Sequence, residues 1–165
     1  YRVSSNTKNK DFIYFFGSRF LEWEYFSLKH IELLNYFLDY LQNKFSDKKF
    51  IYVKHPLEKN ETEKLNLKKF HILEDSLNAE MIFFERGNRI HSAYSIGSTS
   101  SKSAFEFGIQ SFVIYKMFDF DDTTAKIYDR IFKGYPQNFF LKENKILNHG
   151  IKKQINLNNI KEFFE

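Results

Sequence analysis

The chain has 165 residues, of which 42% are hydrophobic, and its 25 Lys and Arg against 21 Asp and Glu give a net charge of +4. This size and apolar content predict a single folded domain, and the low content of 6 Gly and 2 Pro argues against disorder. The absence of Cys excludes disulfides, thiol chemistry and Cys-based zinc sites. The modest positive charge is spread along the chain and is compatible with a phosphate-bearing ligand or an anionic membrane surface.

No targeting signal is visible in the chain. No apolar run approaches the roughly twenty residues of a bilayer span, and the N-terminus lacks the order of a signal peptide. We therefore expect a soluble, cytoplasmic protein. The chain begins at Tyr1 rather than Met, so we interpret it as part of a longer protein, with residues 1–10 as a linker or frayed end of the single domain 1–165.

Short apolar runs alternate with helical patterns along the chain. The predicted strands are 11–17, 50–53, 70–73, 89–96 and 111–115, and the predicted helices are 27–45, 78–86, 123–133 and 156–165. Between them lie a charged, helix-prone stretch at 58–69 and a turn at 74–76. This alternation predicts an α/β fold with a Rossmann-like parallel sheet, helices on both faces and ligands at the C-terminal ends of the strands.

A hydroxyl-rich turn follows the fourth predicted strand, in residues 95–108 (SIGSTSSKSAFEFG). Gly97 permits a sharp turn, and any of the four hydroxyl residues Ser98, Thr99, Ser100 and Ser101 can cap the helix that follows. Backbone N–H groups and hydroxyls would then point at one spot that suits a phosphate. A heavily capped helix start without any ligand is equally consistent with this segment alone.

A histidine stands just beyond the second predicted strand. His55 lies between Lys54 and Pro56, and proline ends the strand there. With the predicted alternation of strands and helices, we expect His55 at the same sheet edge as the Ser/Thr turn. A histidine can hydrogen-bond or protonate a phosphate, whose negative charge favours the protonated ring. For an isolated His, a bond to a backbone carbonyl is the simpler interpretation. Together with the Ser/Thr turn, the Lys-His pair predicts an anion-binding site that is formed by the segments after two different strands.

The order of three short motifs resembles a known group of enzymes. The segments VKHPLE (53–58), NAEMIFF (78–84) and SIGSTSS (95–101) resemble the HP motif, glutamate and Ser/Thr motif of the family 52 lipooligosaccharide sialyltransferases and the related bacterial polysialyltransferases. The similarity covers about residues 11–116. It implies a GT-B-like enzyme of which this chain is the C-terminal, nucleotide-binding half, with a missing N-terminal domain, CMP-sialic acid as donor and a surface glycan as acceptor.

The resemblance also implies roles for individual residues. His55 would contact the CMP phosphate and protonate the departing nucleotide, with Pro56 shaping the turn and Lys54 beside it. Gly97 and residues 98–101 would hold the phosphate. Glu80 would accept hydrogen bonds from the ribose hydroxyls, although a glutamate in the first turn of a helix is also expected on electrostatic grounds. Such enzymes work without a metal or a further cofactor, at the inner face of the bacterial inner membrane.

The base that such a reaction needs is the weakest match. The family places it in an acidic motif that ends in Gly, whereas here Glu22 and Glu24 lie in the loop after the first strand and no Gly follows them. Either residue is a candidate base, and both are equally consistent with solvated loop charges. A base on a missing N-terminal segment is a third interpretation.

Three other features are given structural interpretations. The acidic stretch Asp119 to Asp122 looks like a metal-binding DxD, but it precedes a helix and is expected to cap it. His30 is expected on the polar side of its helix, and it lacks metal-ligand spacing with carboxylates. The abundant Phe and Tyr follow core periods and the basic residues form no stripe, which argues against nucleic acid as a partner.

The leading hypothesis is thus an inverting sialyltransferase of lipooligosaccharide or capsule synthesis. A CDP-glycerol or CMP-Kdo transferase is the alternative among enzymes, because both resemble the same pair of motifs. A nucleotide-binding or interaction domain without catalysis is the alternative from another class. Peripheral membrane association and a homodimer are both compatible with the sequence.

Overall fold

The computed structural model describes residues 10–73 and 78–142. In chain order the elements are β1 (Phe12–Phe16), α1 (Leu28–Lys44), β2 (Lys49–Val53), β3 (Phe70–Leu73), α2 (Ala79–Arg86), β4 (Ile90–Ser95), α3 (Ser100–Glu106), β5 (Ser111–Val113) and α4 (Asp122–Ile131). Short 3-10 turns cover Phe20–Glu22, Glu61–Lys64, Gly87–Arg89, Tyr115–Met117 and Gln137–Phe139.

The five strands form one parallel sheet in the order β3-β2-β1-β4-β5. The chain winds from β1 outward through β2 to β3, and then crosses back so that β4 pairs with the other side of β1. Winding therefore reverses between β1 and β4, which is the position where open α/β sheets bind ligands. The predicted α/β, Rossmann-like parallel sheet is confirmed.

Helices cover both faces of the sheet, as predicted, because the strand residues alternate between two cores. Ile13 and Phe15 of β1 point to one core, and Tyr14 and Phe16 point to the other. The first core is completed by α1 and α4 through Leu34, Phe37, Leu38, Leu41 and Tyr128. The second core is completed by α2 and α3 through Ile82, Phe83 and Ala104. The central strand is thus buried on both sides, as its continuous apolar run indicates.

Several boundaries differ from the sequence-based prediction. The stretch 58–69 forms only a 3-10 turn at Glu61–Lys64 and no longer helix. The strand predicted at 111–115 ends at Val113, because a 3-10 turn follows in which the ring of Tyr115 is buried and stacks on Tyr128. The turn at 74–76, the helix at 156–165 and all but the last residue of the linker at 1–10 lie outside the described residues.

The prediction that His30 lies on the polar side of α1 is wrong. Its side chain is buried among the rings of Phe26, Phe118 and Phe120. Burial is tolerated because both ring nitrogens have partners: the Ser27 amide donates to Nδ1 at 3.1 Å, and Nε2 lies 2.8 Å from Asp119. The histidine is therefore a core residue that joins the start of α1 to the loop before α4.

The acidic stretch before α4 caps that helix, as predicted. The Asp121 carboxylate accepts hydrogen bonds from the amides of Thr123 and Thr124, while Asp119 pairs instead with Lys29 and His30. Within 10–73 and 78–142, no group of three or more His, Cys, Asp or Glu side chains could hold a metal ion. In the same ranges no helix combines the length and the apolar character that a membrane crossing requires.

The pairing of Asp119 generates a stability prediction. Hydrogen bonds from Lys29 and then His30 lower the pKa of Asp119 from 3.8 to about 2. Because the folded-state pKa is depressed, the stabilisation is present above pH 3.8 and is lost as the pH falls towards 2. The carboxylate is largely exposed, so Asp119→Asn is expected to lower the free energy of unfolding by only about 0.5–1 kcal/mol at neutral pH.

Urea denaturation of both proteins across the acid range measures this effect, with the exposed Glu32→Gln on α1 as the control. The difference between wild type and Asp119→Asn should shrink at low pH. A difference that stays constant across the acid range would contradict this origin.

Candidate functional site

The loops that leave β1, β2 and β4 meet at the C-terminal edge of the sheet. They are held side by side because β1 pairs with β2 and β4 on its two sides, and the Gly17 amide continues the ladder by donating to the Val53 carbonyl at 2.9 Å. Two cavities of about 220 and 230 Å³ open at this edge. The volume of each cavity is below the roughly 300 Å³ of the smallest usual ligand pockets, and only the combined volume of the two falls within that range.

We name the two cavities by their walls. The aromatic cavity is lined by Ser18, Arg19, Trp23, His55, Gly97, Ser98, Thr99 and Tyr128. The strand-end cavity is lined by Phe16, Gly17, Val53, Lys54, His55, Pro56, Asn78, Ala79, Ser98, Thr99 and Ser100. Both share His55, Ser98 and Thr99, so the two form one cleft with a common wall. The structure thus brings together the imidazole and the Ser/Thr turn, which are more than forty positions apart in the sequence.

The charge of the cleft favours an anion. Arg19 lines the aromatic cavity and Lys54 lines the strand-end cavity, while none of the described lining residues is a carboxylate. Hydroxyls from Ser18, Ser98 and Thr99 add neutral hydrogen-bond donors. Positive charge with several donors and no carboxylate in the lining is the chemistry that recognises phosphate.

The Ser/Thr turn is organised mainly by its own side chains. Ser95 Oγ accepts from the Ser98 amide at 2.9 Å, and Ser98 Oγ accepts from the Ser100 amide at 3.2 Å. Ser101 is fully buried, lines neither cavity and shares a 2.8 Å hydrogen bond with Ser95. Since α3 has only seven residues, the site depends on the hydroxyls of Ser98, Thr99 and Ser100 more than on a helix dipole.

Gly97 is required for a steric reason. A Cβ atom there would overlap the ring of Tyr128, which packs directly against the turn. The absent side chain lets that ring form the wall of the aromatic cavity. Gly97 therefore shapes the site by close packing of backbone on ring.

The segment after His55 forms a tight turn that fixes the imidazole. The Glu58 amide donates to the His55 carbonyl at 2.9 Å, and the Leu57 amide donates to His55 Nδ1 at 3.1 Å. Because Nδ1 accepts this bond, the neutral ring carries its proton on Nε2. The histidine therefore offers an N–H donor even when it is uncharged, and protonation at Nδ1 would break the bond to Leu57.

A buried carboxyl group beneath this turn is a feature that sequence reasoning missed. Glu58 is 7% exposed; its Oε1 accepts from the Tyr52 hydroxyl at 2.8 Å, and Oε2 has no hydrogen-bond partner among the described residues. A Cβ on Gly17 would overlap both Glu58 and Tyr52, so this glycine admits the pair under the cleft. Burial raises the pKa of Glu58 from 4.5 to about 7.

The predicted carboxylates lie outside the cleft. Glu22 is held by Lys59 at 2.8 Å and Arg19 at 3.3 Å, and the hydrogen bond with Lys59 lowers its pKa. Glu24 is exposed. Glu80 is also exposed and accepts from Ser103 on α3 at 2.6 Å, next to the cleft residues Asn78 and Ala79. None of the three carboxylates lines either cavity.

The wall residues that were not singled out from the sequence include Arg19, Trp23 and Tyr128. Arg19 and Trp23 follow β1, and Tyr128 lies on α4. The position of Arg19 and Trp23 just after a central strand was an available signal, because such a loop must lie at the binding edge. No sequence signal pointed to Tyr128, which reaches the cleft only through the packing of α4.

No family model matches the chain, and a search of curated proteins finds no match.

The raised pKa of Glu58 predicts a pH-dependent stability. Because the folded-state pKa of about 7 exceeds the ordinary 4.5, the stabilising contribution of this group is full below pH 4.5 and is lost as the pH rises through 7. Glu58→Gln keeps the acceptor for Tyr52 but cannot ionise. Relative to wild type, its free energy of unfolding is expected to rise by about 2–3 kcal/mol between those limits.

Chemical denaturation at several pH values measures this difference. Glu24→Gln, which alters an exposed carboxyl group outside the cleft, is the matched control. Parallel pH profiles for wild type and Glu58→Gln would contradict the burial of an ionisable carboxyl group at this position.

Proposed function

We propose that the cleft binds the phosphate of a cytidine nucleotide donor, and that the chain is the donor-binding part of an inverting sialyltransferase that uses CMP-sialic acid. The observation that carries this proposal is the common wall of the two cavities, where His55 meets Ser98 and Thr99. The wall lies at the point where the sheet reverses its winding, and cations but no described carboxylate surround it. The motif resemblance supplies the identity of the donor.

In the proposed reaction, the bond between the sialic acid anomeric carbon and the CMP phosphate oxygen breaks, and the electron pair leaves with CMP. An acceptor hydroxyl forms the new bond on the opposite face and gives its proton to a base. The geometry of His55 supports a hydrogen bond from Nε2–H to the departing phosphate. Full proton transfer is not required, because a phosphate monoester has a second pKa of about 6 and is a stable dianion near neutrality.

The position of the candidate bases leaves two candidate functions. Neither Glu22 nor Glu24 lines the cleft, and Lys59 holds Glu22 as a paired anion. This observation favours a base on another polypeptide segment, as in an enzyme whose active site lies between two domains. It equally supports the second candidate, which is a nucleotide-binding domain without catalysis.

Binding of CMP tests the donor site directly. The chain contains a single Trp, and Trp23 lies in the cleft wall, so its fluorescence reports on ligand binding. CMP is expected to change this signal in a saturable manner. His55→Gln removes one hydrogen bond to a charged phosphate and should weaken binding roughly 10- to 100-fold. His71→Gln, an exposed histidine on β3, is the control and should bind like wild type.

A folded chain that does not bind CMP would contradict the proposal, as would His55→Gln with wild-type affinity. Release of CMP from CMP-sialic acid in the presence of glycan acceptors is then measured. Transfer that depends on His55 supports the enzyme, whereas binding without transfer fits both a non-catalytic domain and a donor-binding part whose base lies on another segment. Parallel assays with CMP-Kdo and CDP-glycerol identify the donor.

A further inference from the structure

The aromatic cavity is lined by one cation that is not part of the proposed phosphate site at His55, Ser98 and Thr99. Arg19 lines this cavity together with His55, Ser98 and Thr99. If the last three residues bind the phosphate of a ligand, Arg19 remains available for a second acidic group of that ligand. The cavity therefore has two separate groups of donors that suit negative charge.

The one carboxylate beside Arg19 does not neutralise the positive charge around it. Glu22 lies 2.8 Å from Lys59 and 3.3 Å from Arg19, so the single carboxylate is shared by two cations. Arg19, Lys59 and Glu22 together have a formal charge of +1, and only Arg19 among these three lines one of the two cavities. Guanidinium has five N–H donors, so Arg19 can bind a ligand oxygen without releasing Glu22.

The surface beside Arg19 is made of aromatic rings that are held in place. Trp23 stacks on Tyr25 with ring centres 5.4 Å apart, and the hydroxyls of Tyr25 and Tyr128 lie 3.3 Å from each other. Tyr128 stacks on Tyr115 at 4.9 Å and packs against Gly97. These contacts fix the ring walls before any ligand binds, which lowers the entropy cost of binding.

From this arrangement we propose that Arg19 binds a carboxylate on the sugar ring of the donor, while Trp23 and Tyr128 enclose the ring itself. The proposal rests on the function proposed above and names its substrate class as a nucleotide-linked sugar acid. A single guanidinium fork matches one planar carboxylate. A second phosphate carries more oxygens and is usually met by several donors, whereas apart from His55, Ser98 and Thr99 the cavity is lined beside Arg19 by Ser18, Trp23, Gly97 and Tyr128, none of which is charged.

The experiment compares three ligands in the absence of acceptor: CMP, CDP and CMP-sialic acid. Trp23 fluorescence and calorimetry give each affinity for wild type, Arg19→Gln and Arg86→Gln. Arg86→Gln is the matched control, because it makes the same substitution at an exposed arginine of α2 that lines neither cavity. Wild type should bind CMP-sialic acid more tightly than CMP.

In Arg19→Gln, the affinity for CMP-sialic acid should fall roughly 10- to 100-fold, as expected for the loss of a hydrogen bond to a charged group. The affinity for CMP should change less than about twofold, and Arg86→Gln should bind all three ligands nearly as wild type does. This selective loss supports the proposal. Arg19→Lys, which keeps the charge but not the fork, should recover only part of the affinity.

Equal weakening of CMP and CMP-sialic acid in Arg19→Gln would overturn the proposal, because Arg19 would then act on the shared phosphate. A loss confined to CDP would also overturn it and assign Arg19 to a second phosphate. If Arg19→Gln binds all three ligands with wild-type affinity, the role of Arg19 is overturned, whereas the proposed function stands because CMP still binds. Failure of wild type to bind CMP at all would overturn both.

Discussion

The pairing of β1 with β2 on one side and β4 on the other is the constraint on which the site depends. Because winding reverses at this central strand, the crossovers from β1 and β4 run to opposite faces of the sheet and leave a cleft between their first residues. The residues beyond Phe16, Val53 and Ser95 must then share one edge. Chemistry that is distant in sequence is brought together by this topology alone.

Two glycines convert that edge into a shaped cleft. Gly17 lets the buried pair of Glu58 and Tyr52 approach the end of β1, and Gly97 lets the ring of Tyr128 pack against the Ser/Thr turn. In both places a side chain on the glycine would occupy space that an essential neighbour already fills. The cleft is thus supported from below by a carboxyl–phenol pair and from one side by an aromatic stack.

The Ser/Thr turn and the HP turn combine local order with available donors. Hydrogen bonds of Ser95 and Ser98 to backbone amides hold one turn, and the Leu57 amide bond to His55 holds the other. The groups that remain directed at the cleft are few: the His55 ring, the hydroxyls around Thr99, and the cations Lys54 and Arg19. Under the proposed function, these groups are positioned before the anion binds.

The amino-acid sequence determined the order of strands and helices, since apolar periodicity and buried runs depend on local pattern. It also predicted that His55 and the Ser/Thr turn would share an edge, because parallel strands end on the same side.

It could not predict the burial of His30, which depends on Asp119 and three rings from distant segments. Nor did it distinguish Ser98, which lines the cleft, from Ser101, which is buried. The Ser101 hydroxyl bonds to Ser95 and to the Phe112 carbonyl of β5. The burial of Glu58 and the aromatic rings that share a cavity with Arg19 were decided only by tertiary structure, because burial and the proximity of Tyr128 arise from packing between elements far apart in the chain.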